Sequence, residues 1–240
     1  MPNDSAALHG LLVSWDAILF TVALAALVPF CSARLFSRWK RSGRSSKIAV
    51  FLSISLVQGL MVAFLVLVLR RHGLSPRDLG EGVGREGRFI AVTLSVLAVL
   101  LVGTVLKLRQ LRAATPEEIA KALGPGRLFC PRTRAEIGAF LVLTLTAGIC
   151  EELLYRGWLL LFLSSATGSV WVGLVASSLI FGLGHAYQGV KGVLATGAVG
   201  LVLGLVVLFV GGLGAAQVVH VLVNLVNGLA GAYVLEARNR

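Results

Sequence analysis

Seven long apolar stretches dominate this sequence of 240 residues. Each has roughly the 20 residues that a helix needs to cross about 30 Å of hydrocarbon. Because lipid offers the backbone no hydrogen-bond partner, these stretches are expected to be helical. The sequence thus predicts an all-α fold, a polytopic transmembrane helical bundle of about seven helices (six to eight), with a short cytoplasmic surface helix. The predicted spans are residues 11–30, 48–69, 89–106, 137–163, 170–187, 190–209 and 214–235.

The composition agrees with a membrane protein and excludes an ordinary soluble domain. Hydrophobic residues make up 57% of the chain and charged residues only 14%, against about 25% charged residues in soluble domains. The formal net charge of +11 would suggest a nucleic-acid partner in a soluble chain. Here the cations lie between the apolar spans, so we expect the lipid bilayer as the partner and no nucleic acid.

The distribution of Lys and Arg predicts how the chain is oriented. Sixteen of the 22 basic residues fall in connections on one side of the membrane, and five fall on the other side. Because short cytoplasmic loops retain positive charge, we expect a multi-pass protein of the inner (plasma) membrane with its N-terminus outside and its C-terminus in the cytoplasm. We interpret 1–240 as a single membrane domain. It consists of N-terminal transmembrane helices over 1–110, a basic cytoplasmic connector over 111–136 and a core over 137–235.

The basic connector contains a signal for a short surface helix. Thr115 stands at the expected N-cap, Pro116 at the first helical position and Glu118 at the third, which is the pattern of a capping box. Gly124 follows and is expected to end the helix after about Leu123. This predicts a helix on the cytoplasmic surface that connects the third and fourth spans.

Polar and ionisable side chains within the spans are the strongest functional signal. A charge near the centre of a bilayer costs at least about 2.5–3.5 kcal/mol on insertion scales, so such residues mark candidate functional sites. In the C-terminal half these residues are Glu151, Glu152, Arg156, His185, His220 and Asn224. Elsewhere, Asp16 and His72 find no partner by spacing and receive no role.

Helical geometry separates the two adjacent carboxylates. Glu152 and Arg156 are four residues apart with the acid first, which favours an ion pair on one helix face. Glu151 lies about 100° around the same helix. It therefore shares no cation at this spacing and must find another partner, or a water molecule, within the bundle.

Two further pairs of residues have the same four-residue spacing. Phe181 is expected to stack beside His185, and His220 shares a helix face with Asn224. Together with Glu151, three helices thus offer a free carboxylate, two imidazoles and an amide.

These groups suit hydrolysis by an activated water molecule. A carboxylate backed by an imidazole can act as a general base, and Asn and His donors can stabilise an oxyanion. Equally, two His and one Glu are a known ligand set for catalytic zinc, although the H-E-x-x-H pattern is absent. Taken singly, each group also suits a structural role, such as an ion pair or an amide that joins helices.

Three motifs in a fixed order resemble the CPBP family of intramembrane peptidases, the CAAX proteases and bacteriocin-processing enzymes also called the Abi family. The motifs are Glu151-Glu152-x-x-x-Arg156, Phe181-x-x-x-His185 and His220-x-x-x-Asn224. The resemblance covers about 137–227. It implies that a peptide bond is hydrolysed within the membrane or at its face by an all-helical protein, and that 137–235 is the catalytic core.

The resemblance also implies a role for each motif residue. Glu151 and His185 would activate the attacking water, and His220 and Asn224 would hold the oxyanion. The residues that would organise this site are Glu152, Arg156 and Phe181. Members have been described both as metallopeptidases and as glutamic peptidases, and we favour the glutamic type without a cofactor because an Asn donor suits an oxyanion site. If a metal is present, zinc is expected, with Glu151, His185 and His220 as ligands.

The expected substrate is a membrane-anchored protein or peptide. The candidates for a bacterial member are CAAX-type cleavage, bacteriocin-related processing and removal of a C-terminal sorting tail. The alternative class is a non-catalytic membrane protein, either a bacteriocin self-immunity scaffold or a transporter with a proton relay, although the paired broken helices of a transporter are not visible. The enzymatic hypothesis requires Glu151, His185, His220 and Asn224 to surround one site.

Overall fold

The computed structural model describes residues 10–42 and 46–237, and these ranges are helical apart from short connections. Three of the basic residues counted above, Arg44, Arg238 and Arg240, lie outside them. The α-helices are α1 (Trp15–Val22), α2 (Val28–Ser42), α3 (Lys47–Arg71), α4 (Glu86–Ala113), α5 (Pro116–Leu123), α6 (Arg134–Glu152), α7 (Leu160–Thr167), α8 (Val170–Gly184), α9 (Gly189–Val210) and α10 (Gly214–Ala237). Shorter helical pieces join several of them, namely the π-helical segments Ala23–Leu27 and Leu153–Leu159 and the 3₁₀ turns Pro76–Leu79, Gly124–Phe129 and Ala186–Gln188.

Six helical stretches within the described ranges are long and apolar enough to cross a membrane, which confirms the predicted helical bundle. The fifth predicted span is different, because α8 has only 15 residues and ends at Gly184 rather than near 187. His185 leaves the helical conformation and begins a 3₁₀ turn. Because 15 residues rise only about 22 Å, a side chain at the end of α8 can meet groups in the middle of its neighbours.

The first predicted span, 11–30, is wrong at both ends. The helix starts at Trp15 and continues through a π-helical segment into α2, so the first basic residues lie on a helix rather than in a loop. The π-helical segment ends at Leu27, just before Pro29. Proline has no N–H to donate within a helix, and a local change in the hydrogen-bond pattern lets the helix pass it.

The stretch 134–167 lies at the centre of the bundle. It runs through α6, the second π-helical segment and α7, and it packs against α3, α8 and α10. Trp158 is completely buried there, and its indole Nε1 donates a hydrogen bond of 3.1 Å to Thr21 Oγ1. The N-terminal helices are thus tied directly to the core.

The connection between α3 and α4 covers the turn between α9 and α10. The Leu213 and Gly214 amides donate to the carbonyl oxygens of Gly80 and Gly82, each at 2.8 Å. A Cβ on Gly84, which has φ of +69°, would lie 2.7 Å from the Val210 carbonyl oxygen. This backbone-to-backbone packing fixes the start of α10, the helix that carries the second imidazole.

The predicted surface helix is confirmed as α5. The Glu118 amide donates to Thr115 Oγ1 at 3.2 Å, and the Thr115 amide donates to Glu118 Oε2 at 2.7 Å. These bonds from Thr115 hold the pKa of Glu118 below its usual value. Ile119 packs with Leu111 of α4 and Val234 of α10, which joins the connector to the bundle.

A charged cluster joins α1 to the end of α3. Asp16 lies 3.4 Å from Arg71 Nη1 and 3.5 Å from His72 Nε2. Spacing along the sequence gave Asp16 and His72 no partner, because the two residues meet only when the helices pack.

Candidate active site

The predicted pair of Glu152 and Arg156 is present in the centre of the bundle. Arg156 Nη1 donates to Glu152 Oε1 at 2.9 Å, and both side chains are almost completely buried. Glu152 is the last residue of α6, and the π-helical segment follows it directly. The four-residue spacing therefore brings the two groups together although the helix widens between them.

The guanidinium of Arg156 is held from two further sides. It lies over the ring of Phe181 in α8, with 4.1 Å between Cζ and the ring centroid. A Cβ on Gly200 in α9 would lie 3.0 Å from Arg156 Nη2 and 3.1 Å from Phe181 Cδ1. The absence of a side chain at Gly200 therefore makes the space that the buried guanidinium occupies.

His220 contacts both carboxylates. Its Nδ1 lies 2.7 Å from Glu152 Oε1, and its Nε2 lies 3.7 Å from Glu151 Oε2. An ionised carboxylate that accepts from Arg156 can only accept here as well, so we assign the proton to Nδ1. This long-range contact was not predicted from the sequence, which paired His220 with Asn224.

Close packing of α6 on α10 explains how His220 reaches the carboxylates. A Cβ on Gly148 would lie 3.0 Å from the backbone nitrogen of Val221 and 3.2 Å from the carbonyl oxygen of Gln217. Glycine is thus required for the two backbones to approach each other at this level. The carboxylates lie within the next turn of α6.

Glu151 receives the partner that the sequence required but did not identify. Gln58 of α3 donates from Nε2 to Glu151 Oε1 at 2.6 Å. Gln58 stands alone as an amide in an apolar span, and a polar group in such a place is a recognised sign of an interhelical hydrogen bond. That signal could have found Gln58, although it could not have named Glu151 as its acceptor.

His185 lies beside Phe181, as its spacing predicts, with 4.9 Å between the ring centroids. Its Nδ1 is 3.0 Å from the Phe181 carbonyl oxygen. Because a carbonyl oxygen only accepts, Nδ1 carries the proton in this hydrogen bond and Nε2 keeps a lone pair. Ser32 of α2 supports the end of α8 by donating to the Gly184 carbonyl oxygen at 2.8 Å.

The ring of Phe181 stands between the two imidazoles. Its centroid is 5.9 Å from that of His220, in an edge-to-face arrangement, and it contacts His185 on the other side. Phe181 therefore connects α8 to α10 as well as to Arg156. The structure brings Glu151, Glu152, Arg156, Phe181, His185 and His220 into one cluster.

Asn224 is the motif residue that this cluster does not engage. It lies one turn beyond His220 on α10 and is half-buried. Its side-chain amide makes no hydrogen bond to any residue that the structure describes. Its donor groups are therefore not committed to another protein group in the described part of the chain.

The suggested metal ligands do not form a metal-binding group in the conformation observed. Within the described ranges, no three His, Cys, Asp or Glu side chains are grouped so that they could hold a metal ion. Glu151 is hydrogen-bonded to Gln58, and Glu152 is shared by Arg156 and His220. One oxygen of each carboxylate, Oε1, thus accepts from N–H donors.

Comparison with known proteins identifies the region that holds the cluster. Residues 133–226 match the family model described as Type II CAAX prenyl endopeptidase Rce1-like. Comparison with curated proteins and with solved structures gives no match. The matched segment begins at Thr133, the N-cap of α6, and it includes all three motifs.

Proposed function

We propose that this chain hydrolyses a peptide bond of a membrane-associated protein or peptide. The premise is that the chain belongs, through residues 133–226, to the CPBP family of CAAX-type endopeptidases. The observation that carries the proposal is the contact of His220 with both carboxylates of the Glu151-Glu152 motif. Charged groups inside a membrane bundle are costly. A cluster of this kind is better explained by chemistry than by packing.

Glu151 and His185 are the proposed activators of water. Within the described ranges Glu151 pairs with no guanidinium, since Arg156 is paired with Glu152, and Gln58 orients the Glu151 carboxylate. His185 has a free lone pair on Nε2. In this mechanism Glu151 and His185 take up a proton from a water molecule as the water oxygen attacks the carbonyl carbon. The base then returns this proton to the leaving nitrogen as the C–N bond breaks, which yields a carboxylic acid and an amine.

His220 and Asn224 are the proposed donors to the oxyanion. His220 is fixed by its Nδ1 bond to Glu152, which leaves Nε2 to donate when it is protonated. Asn224 has an uncommitted amide one turn further along α10. Prepositioned donors of this kind stabilise the negative charge that develops on the carbonyl oxygen. Glu152, Arg156 and Phe181 position these groups and do not touch the reacting atoms.

The glutamic type without a cofactor is our preferred form of the mechanism. It is supported by the N–H donors to Oε1 of each carboxylate and by the amide of Asn224. Zinc held by Glu151, His185 and His220 remains the alternative to be tested, by measuring the metal content of the purified protein and its activity after treatment with a chelator. The proposed substrates are CAAX-type, bacteriocin-related or C-terminal sorting-tail segments of membrane-anchored proteins.

The substitution Glu151→Gln tests the proposed chemistry. It keeps the side-chain volume and removes the general base, so we expect cleavage to fall by about 100-fold or more. Mass spectrometry of membrane-protein termini, in a deletion strain that carries either the original gene or the variant, measures the loss. Glu117→Gln on the exposed surface of α5 makes the same chemical change away from the site and should leave cleavage unchanged.

Two results would contradict the proposal. One is full cleavage by a well-expressed Glu151→Gln protein. The other is a cellular phenotype that disappears in the deletion strain and is restored by the Glu151→Gln protein, although this variant yields no cleavage product. The second result would favour a non-catalytic scaffold.

A further inference from the structure

One face of the first long helix changes from apolar to cationic towards its end. Leu27 and Phe30 are 58% and 54% exposed. Arg34, Arg38 and Arg41 follow at spacings of three or four residues, and all three are exposed. Side chains at this spacing lie along one side of a helix. An apolar stripe on a membrane span therefore leads directly to three guanidinium groups.

A groove accompanies the three guanidinium groups. Its volume is about 430 Å³, and it is lined by Phe30, Ala33, Arg34, Ser37, Arg38 and Arg41. The guanidinium of Arg34 lies over the ring of Phe30 at 4.4 Å. In the described part of the chain, no carboxylate forms an ion pair with any of these arginines. The groove thus holds three like charges that no carboxylate of the described residues neutralises.

The opposite face of α2 is committed to the core and prevents the helix from turning its arginines inward. Ser32 donates to the Gly184 carbonyl oxygen, and the ring of Phe36 lies 4.5 Å from that of Tyr187. Because these contacts fix the rotation of α2, the cationic side must stay exposed. Like charges held together in this way favour an anionic ligand.

We propose that this basic groove binds the headgroup of an anionic phospholipid. The phosphodiester would contact Arg34, Arg38 and Arg41, since planar guanidinium groups can donate two parallel hydrogen bonds to phosphate oxygens. The acyl chains would follow the stripe through Phe30 and Leu27. This occupant accounts for both halves of the helix face, whereas a free phosphate ion would use only the cationic half. Anionic lipids are also concentrated in the cytoplasmic leaflet, the side on which we predict these arginines.

Native mass spectrometry of the full chain tests this site. The protein is offered phosphatidylglycerol and phosphatidylcholine with identical acyl chains, and we expect phosphatidylglycerol to be retained preferentially. Each arginine near an anionic surface contributes about fivefold to binding. The triple variant R34Q/R38Q/R41Q should therefore reduce this preference by on the order of 100-fold. Its thermal unfolding should match that of the original chain, because the substituted side chains are exposed.

A matched control separates this site from general charge attraction. R109Q/R127Q/R132Q removes the same charge from exposed residues on the same predicted side of the membrane and should keep the preference. Equal losses in the two triple variants would overturn the proposal, as would full preference in R34Q/R38Q/R41Q.

Inorganic phosphate distinguishes a lipid from a free anion as the ligand. We expect inorganic phosphate to displace phosphatidylglycerol poorly, because it lacks the acyl chains that contact Leu27 and Phe30. If inorganic phosphate displaced the lipid as well as a short-chain phosphatidylglycerol did, the groove would be an anion site and the lipid assignment would be wrong.

Discussion

Two helical stretches of this bundle, α4 and 134–167, are both long and apolar, but α4 is largely exposed whereas 134–167 is largely buried. Among the side chains described in α4, Leu111 alone is buried. In the most apolar part of 134–167, 56% of the residues are buried. Apolar length therefore indicates that a helix can cross the membrane, but it does not indicate whether the helix faces lipid or protein.

Glycines and ionisable groups distinguish the two stretches. At Gly103 of α4, a Cβ would have no atom of the described residues within 4 Å apart from its chain neighbours and the backbone of its own helix. Around Gly148 of α6 a Cβ would meet the backbone of α10. The buried stretch also carries two carboxylates and a guanidinium, all of which have partners on other helices. Small residues allow close approach in membranes, and polar groups then hold the helices together.

Among the substitutions that test this contrast, Glu152→Leu is expected to cause the largest loss of stability. It leaves Arg156 without its carboxylate and His220 without its Nδ1 acceptor in the centre of the bundle. Removing one partner of a buried ion pair costs about 3–5 kcal/mol. Thermal unfolding of the purified protein in detergent measures the loss of stability. Glu86→Leu in the exposed first turn of α4 is the matched control and should cost about 1 kcal/mol or less.

The double variant E152L/R156L provides an internal check on the cause. Because no buried charge is left unpaired between these two positions, it should be more stable than either single variant. A double variant in which the two losses simply add would contradict the interpretation as a coupled pair.

Gly200→Ala is expected to cause an intermediate loss of stability. The new Cβ would press on Arg156 Nη2 and Phe181 Cδ1, and Arg156 cannot move freely because Glu152 holds it. Overpacking of this kind costs about 1–3 kcal/mol, and cleavage should fall with it because Phe181 positions both imidazoles. Gly197→Ala, whose Cβ would lie at an ordinary 3.5 Å from the Ser178 carbonyl oxygen, should lower neither the melting temperature nor the cleavage rate. Equal effects of the two substitutions would mean that Gly200 is not special.

The parts of the site that follow from spacing within one helix were predictable. The pair of Glu152 and Arg156, the position of Phe181 beside His185 and the capping box of α5 are all confirmed. Each depends on residues three or four apart, and helical geometry fixes their separation. The motif order also pointed to the family whose model residues 133–226 match.

The contacts between helices were not predictable in the same way. Gln58 with Glu151, His220 with Glu152, and Asp16 with His72 each join residues on different helices. A single sequence does not indicate which helix faces meet, or at what depth in the bundle they meet. The contact of His220 with Glu152, for example, depends on Gly148 at the crossing of α6 and α10.

A glycine motif in α9 shows the same limit. The Gly200 to Gly204 spacing indicates close helix packing, and Gly204 does face Leu174 of α8. Gly200, however, makes room for a guanidinium from a third helix. Its importance for the candidate site becomes visible only once Arg156 is placed.

Gly103→Ala is expected to change the stability least, and it tests the exposed helix of this comparison, α4. Since a Cβ there meets nothing, the substitution should stabilise α4 by about 0.5–1 kcal/mol through the lower conformational freedom of alanine in the unfolded chain. Gly148→Ala makes the same chemical change against the backbone of α10 and should destabilise the protein. Both are measured by thermal unfolding in detergent. If Gly103→Ala also destabilised the protein, α4 would have to pack against another protein surface at this position, and the contrast between a lipid-facing helix and a buried one would no longer hold.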